Sequence, residues 1–79
     1  MAAAARARAE PKICEEKLRL GRVFLQALRT VMNLQNEEAA VLMRGAPGLE
    51  RFDLAIQRAR ERRAEAKLAY VLHVSRHGC

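Results

Sequence analysis

Gly45-Ala46-Pro47-Gly48 divides the chain into two stretches of helical pattern, and the fold depends on that break. Glycine supplies positive backbone angles that other residues avoid, and proline has no amide hydrogen with which to continue a helix. The stretches on either side are similar in length and apolar along one stripe. A helix that stops, turns within four residues and restarts makes an antiparallel helical hairpin. The sequence therefore predicts an all-α fold: a flexible arm over 1–10, a first helix over about 11–44, a turn at 45–48 and a second helix over about 49–77.

Upstream of the break, Pro11 suits the first turn of a helix, and Glu15 and Glu16 favour its positive end. Leu20, Phe24, Leu28, Val31, Leu34 or Gln35, and Leu42 then recur at steps of three and four residues, with longer gaps where the stripe weakens, an amphipathic stripe. Gly21 weakens that helix locally, and Asn33 with Asn36, followed by Glu37 and Glu38, resembles a stop and a restart. One long helix, with a kink open at Asn33–Asn36, is the first expectation; three shorter helices are the alternative.

Downstream, the stripe is Leu49, Phe52, Ile56, Ala59, Arg63, Ala66, Tyr70 and Val74. Its middle is Ala and Arg, which lets a facing helix approach closely while Arg63 turns its charged head outward. Arg76 and His77 fall in the last turn, and Gly78 stands where a helix C-terminus is expected. A turn centred between Ala46 and Pro47 pairs Leu42 with Phe52, Gln35 with Ala59, Leu28 with Ala66, Phe24 with Tyr70 and Leu20 with Val74. The same register brings Cys14 to Cys79 at the open end.

A chain of 79 residues forms one domain, and a hairpin has one seam in which to bury apolar surface. The residues are 51% hydrophobic but only 4% aromatic, with no Trp, so that seam is expected to be thin. This predicts a homodimer in which two hairpins complete a four-helix bundle. The net charge of +6 comes from twelve Arg and three Lys against nine acids, spread over both halves. It permits contact with nucleic acid without requiring it. No stretch has the length of a membrane span, and no Leu-rich segment marks a secretory signal; a cytoplasmic protein is the expectation.

Cys14, His73, His77 and Cys79 are the residues whose chemistry suits a metal. His73 and His77 share a helix face, and two thiols with two imidazoles match a tetrahedral zinc set. Their spacing is not that of a zinc module, so no metal and no other cofactor is expected. A Cys14–Cys79 disulfide is an alternative that a reducing cytoplasm disfavours. No nucleophile and base are paired in a sheltered place, so an enzyme is not expected. The densest charge, Gln57 to Lys67, offers Arg51, Arg58, Arg62 and Lys67 as phosphate contacts, while Glu61 and Glu65 interleave as on an ordinary solvated face.

Arg51-Phe52-Asp53, Glu61-Arg62, Ala66-Lys67, Ala69-Tyr70, His73 and the closing His77-Gly78-Cys79 give the second half a further feature. It resembles short bacterial helical-hairpin proteins of uncharacterised activity that end in His-Gly-Cys. That resemblance implies the hairpin and no activity, and it would direct attention to His77 and Cys79. The expected function is that of a small self-associating helical protein acting as a protein-interaction or regulatory module, with a protein partner besides its own copy. A nucleic-acid-binding hairpin is the alternative.

Overall fold

The computed structural model describes residues 14–77, which form two α-helices, α1 (Glu15–Arg44) and α2 (Arg51–His77), packed against each other as a hairpin. The expected arm over 1–10 and the helical turn at Pro11 lie outside the described residues. α1 is unbroken through Asn33 and Asn36, both exposed, so neither the three-helix alternative nor an N-cap at Asn36 is realised. The reason is phase: the row Val31, Leu34, Glu38, Val41 passes the two asparagines without a missed step, and packing along it outweighs two weak helix formers.

α1 ends as its sequence requires. Gly45 is left-handed (φ 68°, ψ 22°); its N–H donates to the Leu42 carbonyl at 3.0 Å, and the Ala46 N–H donates to the Val41 carbonyl at 3.2 Å. These two bonds make a Schellman motif, and Ala46 packs against the buried cluster of Val41, Phe52 and Ile56. Gly48 is the second positive-φ residue, at 96°. The chain then enters α2 through a tight turn in which Arg51, Phe52 and Asp53 donate to the carbonyls three residues back. This places the start of α2 at Arg51, two residues later than the sequence pattern suggests.

The seam repeats every seven residues. On α1 it is Lys17, Leu20, Phe24, Ala27, Val31, Leu34, Glu38 and Val41, all buried or half-buried; opposite it stand Leu49, in the turn just before α2, and then Phe52, Ile56, Ala59, Arg63, Ala66, Tyr70 and His73 on α2. Such a 3,4 spacing keeps one face toward a partner when helices wind around each other left-handedly. Val41, Phe52 and Ile56 form a buried apolar cluster, with Leu34, Ala46 and Leu49 against it. Leu42 does not pair with Phe52 as expected. It is 62% exposed, because the Schellman bonds turn Val41 inward instead. Gln35 is likewise exposed, so Leu34 is the seam residue there.

The register is displaced by less than one helical turn from the one expected. Gly21, not Phe24, faces the Tyr70 ring: a Cβ built on Gly21 would stand 3.5 Å from Tyr70 Cε1. A contact at 3.5 Å is ordinary packing, so the site has room for a methyl group. Gly21→Ala is expected to raise unfolding stability by about 0.5–1 kcal/mol through helix propensity. Gly45→Ala, forced into a left-handed backbone, is expected to lower it by about 1 kcal/mol. Urea unfolding followed by circular dichroism at one fixed protein concentration checks both.

Candidate functional site

The open end of the hairpin carries the residues with metal chemistry. Cys14 is a half-buried free thiol at the start of α1, and its carbonyl accepts the first helical bond from Leu18 at 2.9 Å. Across the seam, the rings of His73 and His77 lie 4.6 Å apart, tilted by 36°, as their four-residue spacing requires. Among the described residues, no group of three or more His, Cys, Asp or Glu is placed to hold a metal. Cys79 lies outside the described residues, and with it the expected Cys14–Cys79 neighbourhood. One turn into α1, Arg19 Nε donates to Glu16 Oε1 at 2.8 Å, and Arg19 Nη2 donates to Glu16 Oε2. These bonds, aided by the charges of Arg19 and His73, hold the Glu16 carboxyl below the usual glutamate range, while Arg19 is raised in turn.

The expected phosphate-binding face divides. Each residue advances about 100° around a helix, so Arg51, Arg58 and Arg62 fall within about 40° of one another, whereas Lys67 stands roughly 140° from Arg62. The packing agrees. Arg62 lines a groove of about 450 Å³ with Val23, Ala27, Ala59 and Ala66; Lys67 lines the groove on the other flank with Phe24, Leu28, Arg63 and Ala64. Arg51, Arg58 and Arg62 are exposed on one flank, with Glu65 beside Arg62. Arg51 also lies over the Phe52 ring, 5.1 Å from its centroid. Lys67 is therefore not part of that surface.

The largest feature is one that a single-stripe reading of α1 misses. Only Val31, Val41, Phe52, Ile56, Ala59 and Ala66 are buried among the described residues, while ten large apolar side chains are exposed, six of them, Leu18, Val23, Leu25, Met32, Leu42 and Met43, on α1. Four of these six, all but Val23 and Met43, belong to a second seven-residue repeat displaced by one position from the first: Leu18, Gly21, Leu25, Leu28, Met32, Gln35, Ala39 and Leu42. Every member is exposed or half-buried. α1 thus carries two rows about 100° apart; α2 covers the first and reaches the second only at its half-buried members, Gly21 against Tyr70 and Leu28 beside Arg63, Ala64 and Lys67. The sequence carries the signal as a leucine stripe wider than one seam needs. Taking the larger side chain at each step blends the two rows into one.

The chain matches no protein-family model, no curated protein and no solved structure. No helix among the described residues is long and apolar enough to cross a membrane.

The depressed Glu16 pKa contributes stability that is present above the ordinary glutamate value and lost as pH falls through the lower folded-state value. Carbon-13 titration of the side-chain carboxyl is expected to give a midpoint below the usual 4.5, moving back toward it in Arg19→Ala. An unchanged midpoint in the variant would remove Arg19 as the cause.

Proposed function

We propose that this chain is a helical association module, a non-enzymatic protein that works by presenting helix surface to other helices and pairs with itself into a four-helix bundle. The observation that carries this reading is the imbalance, among the described residues, between six buried apolar side chains, two of them alanines, and ten large exposed ones. Contiguous exposed apolar surface on a small chain marks an interaction site. The grooves flanking the seam are open furrows between two rods, and catalysis needs groups held in a sheltered, partly dry pocket. Sedimentation equilibrium across the micromolar range is expected to return the mass of two chains. A monomer that stays folded at those concentrations would overturn the reading.

A second reading rests on the alignment of Arg51, Arg58 and Arg62 along one exposed flank, in a chain of net charge +6. In it, the hairpin tracks a nucleic-acid backbone. Binding would then weaken steeply with salt, with a slope that drops by about one phosphate contact per arginine replaced. A gel shift at low salt that retains neither RNA nor DNA excludes it. Lys67→Ala is expected to leave any such binding nearly unchanged, because it lies on the other flank.

A further inference from the structure

We infer that the second seven-residue row of α1 is the interface with a second copy of this chain, and that the two α1 helices pack antiparallel about a twofold axis level with Thr30. The inference rests on the association reading above and names its surface and geometry. The row is complementary to itself in the antiparallel sense. Placing Leu28 level with Met32 of the second copy sets Gly21 level with Ala39 and Leu18 level with Leu42, so small meets small and large meets large over roughly 36 Å. Leu25 falls level with Gln35, the one polar member. A twofold interface requires this kind of self-match.

Arg22, Arg29 and Asn36 edge the row one position further around α1. A parallel twofold sets the two copies of this edge on opposite sides of the contact, whereas the antiparallel twofold brings them together, with Arg29 near its own copy and Arg22 beside Asn36 of the second copy. The antiparallel pairing also brings the two α2 helices side by side, and there charge favours it. With Gly21 against Tyr70 in each hairpin, Asp53 falls level with Lys67 of the second copy, an opposite-charge pair repeated on both sides of the axis. Arg60 comes level with its own copy there, in a groove that already holds Glu38, Asp53 and Glu61. The angle suits the assembly as well, since two rows about 100° apart approximate the right angle at the corner of a square four-helix bundle.

Spin labels on single cysteines at positions 22, 29 and 36, in full-length protein with Cys14 and Cys79 replaced by serine, test the geometry by dipolar distance measurement. All three positions are exposed on α1. The antiparallel pairing gives axial offsets of roughly 3 Å at position 29, 18 Å at 36 and 24 Å at 22, so the shortest interlabel distance is at 29. Three equal distances would mean a parallel dimer, and three long ones a dimer built on another face; either overturns the inference while leaving the association reading intact. A monomer by sedimentation overturns both, and leaves the row to a different protein. In unlabelled protein, Leu25→Glu is expected to weaken dimerisation about tenfold or more with helicity retained, whereas Leu68→Glu, on the outer face of α2, changes it less than about twofold. Equal loss in both variants would count against the α1 row.

Discussion

Two backbone hydrogen bonds at the end of α1 fix how both helices pack. With Gly45 left-handed, the Gly45 and Ala46 amides fold back on the Leu42 and Val41 carbonyls. That closure turns Val41 and Ala46 inward together and sends Leu42 and Met43 to the surface. A helix cannot be rotated at one end alone. Once Val41 is the last seam residue, every earlier one is counted from it in steps of three and four, back through Leu34, Val31, Ala27 and Phe24. The register across the hairpin, including the meeting of Gly21 with Tyr70, is set by the same choice.

The seam so defined is narrow by composition. Its buried members include two alanines, Ala59 and Ala66, and its half-buried members include the polar residues Lys17, Glu38, Arg63 and His73. Small residues bring the helices close but remove little surface from solvent. Apolar surface lies elsewhere on the molecule as well: Leu18, Leu25 and Met32 lie along α1 a quarter-turn away from α2. A helix with apolar rows on two faces has surface for two neighbours, and the hairpin supplies one of them.

The polar chemistry is dispersed by comparison. The histidines stack on each other at the end of α2, the Glu16–Arg19 pair occupies the start of α1, and the arginines divide between two flanks. Helical spacing explains the division. Positions 58 and 62 differ by one turn, but 62 and 67 differ by nearly a turn and a half, so Lys67 leaves the surface its neighbours share. Charge density along a sequence is not charge density on a face.

The sequence by itself determined the two helices, the break between them and nearly all of the α2 stripe. Those features depend on local rules: the backbone freedom of Gly45, the missing amide of Pro47, and a spacing in which Phe52, Ile56, Ala59, Arg63, Ala66 and Tyr70 allow a single phase. α1 is harder to phase because it satisfies two rows at once, and size alone favours Leu28 and Leu42 over Ala27 and Val41. Only the tertiary structure decided between them, through the Schellman closure at one end and the approach of Tyr70 to Gly21 at the other. Both are contacts between groups whose separation in space is unknown until the hairpin closes. Once it has closed, the row left outside α2 is defined, and with it the surface on which a second helix can pack.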